Sequence, residues 1–481
     1  MASRRAKLLM LGALAPLTAC VPNLGDKPVP RAAASLAATR SLPDQGGQWP
    51  GDGWWKAYGD PQLNQLIDEG LAGSPDVAAA IARLSRAEGV VGTDRAPLGP
   101  TLNGEGSAGK VKQSYNNGFP REFLPKGWKD TGNLDLRFGL DLDLWGKNRA
   151  QLRGALAERD AVRVEAAEAR LMLASSIAAA YADLARLYAE RDVADEALRI
   201  QQDTAGLVAD RVRNGIDTQG QLRQASAAVP AARADLSQID EQIALTRNQL
   251  AALIGAGPDR GLTITRPALS ALVTLALPAS AGIDLVGRRP DIVAARARVE
   301  AAGERIKVAH AAFYPDISIT GLVGLQALGF SNVLKSGSLY GNAGPAFTLP
   351  IFDSGRRAGD YRVARAEYDS AVADYDKTLI NALQDVANAV ASRSALGSQS
   401  SDAHASLVDS QKAFEIARLR YRAGLSTYLD VLTAEQALIV ARRRDADLNA
   451  RAFTLDVALV RALGGGYTAA ADMASGGSTG A

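Results

Sequence analysis

The sequence predicts a mainly α protein with a membrane β-barrel portion, built from one unit used twice: short helix, β-hairpin, long helix, returning helix. Three observations predict it. The chain is written twice, since Pro75-Asp76-Val77 returns as Pro290-Asp291-Ile292 and Pro100 and Gly106 return as Pro315 and Gly321, all at an offset of 215. Further on, Arg211 to Gly215 returns as Arg420 to Gly424 at an offset of 209, and Thr218, Ala225 and Gly255 keep that register with Thr427, Ala434 and Gly464. A period this long is no solenoid repeat. The second observation is a period-two alternation from Leu134 to Trp145, and the third is a pair of helix-forming runs of about 60 residues each, on the order of 90 Å of helix.

Taken from the start, residues 1–19 have the three parts of a secretory signal: Arg4, Arg5 and Lys7, an apolar run from Leu8 to Leu17, then small residues. The run is too short to span a bilayer as a helix. Leu17-Thr18-Ala19-Cys20 resembles the bacterial lipobox, in which cleavage before the cysteine leaves its thiol to carry lipid, and Cys20 is the only cysteine among the 481 residues. Each buried methylene of such an anchor contributes about 0.8 kcal/mol, which tethers the chain without making it span. Val21 follows where an Asp would go with retention in known lipoproteins, so the expected destination is the outer membrane. Removing the three leader cations from the 54 Lys and Arg leaves 51 against 52 acids, a balance that offers nothing to nucleic acid.

After a lipidated segment over 20–74, the first repeat is expected over 75–254. Pro75 suits the first turn of a short helix ending near residue 95. A hairpin over 101–145 follows, with one strand in the Gly-rich stretch Leu102 to Lys112 and another from Leu134 to Trp145. In the latter, Leu134, Leu136, Phe138, Leu140, Leu142 and Leu144 share one face; Asp135, Arg137, Gly139, Asp141 and Asp143 share the other. Lipid outside and water inside is the environment that asks for this alternation over about 10 residues. A long helix then runs from about Arg149 to Arg213, rich in small residues such as Ala178-Ala179-Ala180. Gly215 ends it in the left-handed conformation, Asp217 and Thr218 cap the next helix, and the returning helix reaches Ile254 with a kink expected at Pro230.

Residues 255–287 read as a Pro- and Gly-rich linker. The second repeat, 288–463, gives a short helix over 290–312, a hairpin over 316–352 with strands Asp316 to Gln326 and Leu339 to Ile351, a long helix from Arg356 to Arg422, a turn at Gly424, a cap at Ser426 and Thr427, and a returning helix to Leu463. Residues 464–481 are expected to be a flexible tail, and Val21 to Pro50 loosely ordered. Trp145 and Phe352, at strand ends, suit the interfacial aromatic belt.

Four strands with a lipid-facing side leave open edges whose backbone polar groups have no partner in hydrocarbon. Closed bacterial barrels begin at about eight strands. The barrel must therefore be shared between chains; two copies give eight strands, three give twelve, and this argument does not choose.

The pieces in this order resemble the outer-membrane efflux factor family, the TolC-like proteins, in its lipoprotein branch of NodT and OprM type. The residues carrying the resemblance are Trp54-Trp55 with Tyr58-Gly59-Asp60-Pro61, Arg289-Pro290-Asp291-Ile292, Tyr314-Pro315, Leu349-Pro350-Ile351-Phe352-Asp353 with Gly355-Arg356-Arg357, and Arg420-Tyr421 with Gly424 and Asp430. The resemblance implies a homotrimer with a twelve-stranded outer-membrane barrel and a twelve-helix periplasmic tube, the short helices stacked end to end on the returning ones. It implies a passive channel exporting small molecules or drugs, working with a periplasmic adaptor and an inner-membrane pump. Its adaptor-docking tip maps onto Arg211, Gly215, Arg420, Tyr421 and Gly424. Its lumen constriction maps onto Asp430, with Gln221 as the first repeat's equivalent and Thr433 where members often carry a second acid. Three symmetry-related carboxylates would lower the potential of a narrow path, and Thr433 makes this constriction poorer in charge.

No catalytic residue is expected. The two histidines, His310 and His404, lie on helical stretches with no acid or cysteine cluster at metal-ligand spacing. Gly464-Gly465-Gly466 lacks the lysine and following helix of a phosphate loop. No metal or cofactor is expected beyond lipid on Cys20, and the outer membrane's lipid is the expected surrounding. The alternatives are a duct for protein secretion and a non-conducting periplasmic coiled-coil scaffold lipoprotein; the scaffold has no use for the alternation from Leu134 to Trp145.

Overall fold

The computed structural model describes residues 21–38, 40–43, 46–268, 277–278 and 281–468. The expected signal segment and Cys20 lie outside the described residues, as does everything after Thr468. In order, the elements are α1 (Pro61–Gly73), α2 (Pro75–Arg95), β1 (Thr101–Val111), β2 (Lys129–Asp141), α3 (Lys147–Arg213), α4 (Gln219–Leu253), α5 (Pro258–Leu262), α6 (Ala281–Arg288), α7 (Pro290–Ala311), β3 (Asp316–Leu328), β4 (Leu339–Thr348), α8 (Arg356–Arg422) and α9 (Tyr428–Ala462). The duplication is literal: α3 and α8 have 67 residues each, and α4 and α9 have 35 each. Helix α4 is continuous through Pro230. None of the described helices is long and apolar enough to cross a membrane.

The chain divides into two compact units. One gathers residues 21–30 with Leu84–Val162 and Ala295–Tyr375, and the other holds Arg31–Arg83, Arg163–Ala294 and the described residues from Asp376 on. The first contains an antiparallel sheet in the order β1-β2-β3-β4, so the hairpins of the two repeats pair through β2 and β3. Register places apolar beside apolar on one face: Leu134 lies opposite Leu325, Leu136 opposite Val323 and Leu140 opposite Ile319. Leu134, Leu136 and Phe138 are exposed on this face. On the other face Asp135 is covered, accepting hydrogen bonds from the Tyr340 hydroxyl (2.6 Å) and the Asn133 amide (2.9 Å), while Arg137 pairs with Glu105 at 3.0 Å. An apolar face left exposed beside a polar face that satisfies itself is what lipid on one side and water on the other require.

Strands β2 and β4 differ most from expectation. Strand β2 starts earlier, at Lys129, and stops at Asp141, leaving Leu142, Leu144 and Trp145 outside it. The cause is Asp143, at a positive φ of 43°: its carboxylate accepts from the Asn148 N–H (2.9 Å), the Arg149 N–H (3.0 Å) and Arg149 Nε (3.0 Å), turning the chain into the first turn of α3. Strand β4 likewise stops at Thr348 rather than Ile351. There Asp353 accepts from the Gly355 and Arg357 N–H groups and from Arg357 Nε at 3.1, 3.1 and 2.6 Å, starting α8. An orphan donor at a helix start is worth satisfying with a carboxylate, which also suits the helix dipole. Burial opposes the Asp143 charge, yet the Arg149 and Asn148 N–H groups and the Arg149 guanidinium hold its carboxyl below the usual range.

The second unit has its core around Leu63, Leu66 and Ile67 of α1, Ile177, Tyr181 and Leu184 of α3, Leu250 of α4 and Phe453 and Val460 of α9. Trp54-Trp55 and Tyr58-Gly59-Asp60-Pro61 belong to this core. The three aromatic rings meet edge to face, the Tyr58 hydroxyl donates to Asp456 at 2.7 Å, and Asp60 caps α1 while accepting from the Tyr181 hydroxyl at 2.6 Å. Both short helices meet a returning helix end to end. At the α4/α2 junction a side chain on Gly255 would strike the Gly73 carbonyl. At the α9/α7 junction Arg289 donates to Asp291 (2.6 Å), Asp385 (3.1 Å) and the Ala462 carbonyl (3.2 Å). The first repeat has Ser74 where the second has Arg289, and its hydroxyl merely accepts from the Asp76 N–H at 3.3 Å.

The expectation of loose ends needs correction where the residues are described. Arg365 donates to the Gly25 carbonyl (3.0 Å) and the Asp26 carbonyl, and Arg31 reaches Asp376. Gly464, Gly465 and Gly466 all have positive φ, and side chains on them would overlap Arg288, Leu171 and Gly51. A triple glycine read as slack is instead the only sequence thin enough for that turn. Among its described residues, the segment 255–287, expected as a linker, contains α5 and most of α6.

Candidate functional site

The candidate site is formed by the two helical turns, α3 to α4 and α8 to α9. Gly215 and Gly424 sit at φ of 73° and 74°, as expected for residues that end a helix in the left-handed region. Each turn is closed by the same pair of hydrogen bonds: Gly215 N–H donates to the Val212 carbonyl and Ile216 N–H to the Arg211 carbonyl, as Gly424 N–H does to the Tyr421 carbonyl and Leu425 N–H to the Arg420 carbonyl. Thr218 and Thr427 then cap the returning helices through reciprocal capping boxes. The residues expected at the constriction are the third residues of those boxes. Gln221 Oε1 accepts from the Thr218 N–H at 2.7 Å, and Asp430 Oδ2 accepts from the Thr427 N–H and hydroxyl at 2.8 Å each. These hydrogen bonds, backbone first, and the charge of Arg420 keep the Asp430 carboxyl below its usual range. Thr433 is exposed and donates its hydroxyl to the Leu429 carbonyl at 2.9 Å.

Between the turns lies a clamp that joins the two repeats. Arg211 Nε donates to Asp217 at 2.9 Å, Arg211 Nη1 donates to the Tyr421 carbonyl at 2.7 Å, and its guanidinium lies 4.3 Å from the centre of the Tyr421 ring. The Tyr421 hydroxyl donates to the same Asp217 carboxylate. Burial opposes the Asp217 charge, but Arg211 and Tyr421 outweigh it and hold the carboxyl low; burial and the Asp217 charge push the Tyr421 hydroxyl upward. Tyr421 is 1% exposed, packed with Val208, Phe414, Tyr428 and Val431. Of the five residues placed at the tip, Arg211 and Tyr421 thus spend their polar groups inside the protomer, while Gly215, Arg420 and Gly424 are exposed.

The clamp is one-sided. At the offset of 209, Arg211, Asp217 and Val212 of the first repeat correspond to Arg420, Ser426 and Tyr421 of the second. Arg420 faces a serine position instead of an acid, and donates to the Leu425 carbonyl at 3.4 Å. Sequence reasoning took Asp217 only as a helix cap; its unequal counterpart at Ser426 is the one sequence signal of a further role. It also missed Glu435, 2% exposed two turns into α9, whose carboxyl accepts from the Thr204 hydroxyl at 2.7 Å. Burial raises its pKa above the usual range. Among the described residues, no group of three or more His, Cys, Asp and Glu side chains converges as a metal site.

The family model for the outer membrane efflux protein matches residues 66–256 and 284–465, one segment for each repeat. The chain belongs to this family, whose members form homotrimeric outer-membrane channels that work with periplasmic adaptors and inner-membrane pumps; the protein is an outer-membrane efflux channel. Its four strands are one protomer's share of the barrel. Similar proteins include the pyoverdine export outer membrane protein OpmQ of Pseudomonas putida, 30% identical over 96% of this chain and 97% of that one. The fusaric acid resistance protein FusA of Burkholderia cepacia is 36% identical over 69% of this chain and 62% of its own length. Among solved structures, the outer membrane protein VceC of Vibrio cholerae superposes with a TM-score of 0.82 at 41% identity, covering 86% of this chain and 99% of that one.

Proposed function

We propose that the cargo of this efflux channel is a class of small organic solutes, that its aperture is set at the turns, and that the chain is anchored by lipid on Cys20. The roles of two relatives, pyoverdine export and fusaric acid resistance, support the cargo class. The observation that carries the aperture reading is the Arg211–Asp217–Tyr421 clamp, which ties the α8/α9 turn to the α3/α4 turn within a protomer. Arg420, Gly424 and Gly215 form the exposed part of the turns and are the surface offered to an adaptor. Exposed Asp430, repeated three times by the trimer, is the acid of the constriction, with Gln221 its neutral counterpart and Thr433 one turn on. The duct acts as a conduit and contributes no catalytic group or cofactor of its own; the energy comes from the pump.

Planar-bilayer conductance of the purified trimer tests this. Asp217→Ala leaves Arg211 and Tyr421 without their shared acceptor and should raise single-channel conductance severalfold, because a charged hydrogen bond worth roughly 1.5–3 kcal/mol is removed at each of three copies. Asp430→Asn should keep the conductance and weaken its preference for cations. If Asp217→Ala conducts no better than the native channel, the aperture is set elsewhere.

A further inference from the structure

A basic cleft lies within the first unit, at the end of the sheet where β2 leaves for α3 and α7 enters β3. Its volume is about 440 Å³, and Lys27, Arg149, Arg153, Lys307 and His310 line it with no carboxylate among the lining residues. Two acids stand behind these cations. Asp143 holds Arg149 at 3.0 Å, and Glu304 is shared by Arg153 (3.0 Å) and Lys307 (2.6 Å). Four full positive charges against two negative ones leave the cleft with a net positive excess at neutral pH. Lys27 is brought there by the N-terminal segment, which α8 holds on both sides of it: Arg365 binds the Asp26 carbonyl, and the Tyr368 hydroxyl donates to the Pro28 carbonyl at 3.2 Å.

The surroundings of the cleft are those of a membrane interface. Trp145 lines it, donates its indole N–H to the Pro315 carbonyl at 2.7 Å and stacks on Tyr314 at 4.7 Å. Pro315 directly precedes β3, so these rings mark the level at which the barrel strands end. Leu142 and Leu144 follow the end of β2, and Ile351 and Phe352 follow the end of β4; all four are exposed, the last two at 88% and 86%. A ring pair of Trp and Tyr at strand ends is the usual sign of the headgroup region.

We propose that this cleft binds the phosphate diester of an anionic phospholipid from the periplasmic leaflet, with its acyl chains lying on the exposed apolar residues at the strand ends. Lys and Arg supply strong donors to phosphate oxygens. A free phosphate shares the headgroup chemistry but has no use for Leu144, Ile351 or Phe352. The inference rests on the outer-membrane location alone and is independent of the cargo and of the turns.

Native mass spectrometry of the full-length detergent-solubilised trimer, titrated separately with phosphatidylglycerol, phosphatidylcholine and inorganic phosphate, provides the test. Phosphatidylglycerol should bind at up to three copies and well ahead of phosphatidylcholine. Lys27→Gln with Lys307→Gln removes two exposed cations and should weaken phosphatidylglycerol on the order of 25-fold, roughly fivefold for each; the double Arg replacement should restore it. Glu304→Gln releases Arg153 and Lys307 and should tighten binding, a change of opposite sign that mere loss of packing would not produce. Equal binding of the two lipids, or an undiminished phosphatidylglycerol affinity in the Gln pair, overturns the proposal. Inorganic phosphate binding as tightly as phosphatidylglycerol overturns the lipid assignment in favour of a free-anion site.

Discussion

Glu435 shows how a single residue of the helical hairpins responds to pH. Its carboxyl is buried with one hydroxyl partner, Thr204, and burial raises its pKa. The native protein therefore keeps a proton that the unfolded chain gives up. That contribution is fully present below the ordinary glutamate pKa and is lost as pH rises through the raised value. Glu435→Gln, neutral at every pH and able to keep the Thr204 contact, should raise the apparent thermal midpoint at about pH 8 and bring no gain near pH 4, where the native carboxyl is already neutral. Thermal unfolding followed by circular dichroism at the two pH values measures this, and a pH-independent effect would contradict it. Asp217 has the opposite sign: its carboxyl is held low, so the clamp is intact above the ordinary aspartate range and fails only as pH falls through the depressed value.

At the scale of elements, the strands and helices are governed by different environments. Leu136 faces outward near the middle of β2, opposite Gly104 on one side and Val323 on the other. An arginine there should cost about 2–4 kcal/mol per protomer at the bilayer midplane. Leu136→Arg should therefore reduce the yield of extracted trimer sharply on size-exclusion chromatography. Arg137→Ser, one residue along on the polar face, loses the half-exposed pair with Glu105 at 3.0 Å, worth at most about 1 kcal/mol, and a longer approach to Asp135 at 3.9 Å, while Asp135 keeps its Tyr340 and Asn133 hydrogen bonds; the yield should stay nearly unchanged. The helices show the converse economy. Their ends are defined by short-range chemistry, a left-handed glycine followed by a threonine capping box, and this chemistry is the same in both repeats.

For the whole molecule, the open outer edges of β1 and β4 are the reason the protein is an oligomer. Each edge needs a neighbour in hydrocarbon, and the homotrimer of this family supplies it. The lipid proposed for Cys20 is a separate device. One or more acyl chains hold a protein at the surface without closing any strand edge. Cys20→Ala should accordingly abolish metabolic labelling by radioactive palmitate while the trimer still assembles and conducts. Persistent labelling of that variant would move the lipid to another residue.

Much of this protein was legible in its sequence because the governing interactions are local or periodic. The repeat offsets, the alternation of β2, the prolines opening α2 and α7 and the Gly-Thr punctuation of the turns all act within a few residues, and each appears in the structure close to its expected place. Strand ends were misjudged where Asp143 and Asp353 take the chain into a helix by hydrogen bonds that hydropathy does not record. What the fold alone decided are contacts across large sequence separations: Arg211 and Asp217 meeting Tyr421, Arg289 reaching Asp385 and Ala462, Lys27 brought beside Arg149 and Lys307. The first of these depends on how two copies of one unit pack against each other, and duplication conceals it, because identical patterns in the two repeats say nothing of which residues differ in role; the others depend on where helix ends and the N-terminal segment meet in space. The difference between Asp217 and Ser426 acquires meaning only when Tyr421 is seen to share the carboxylate that its own repeat lacks.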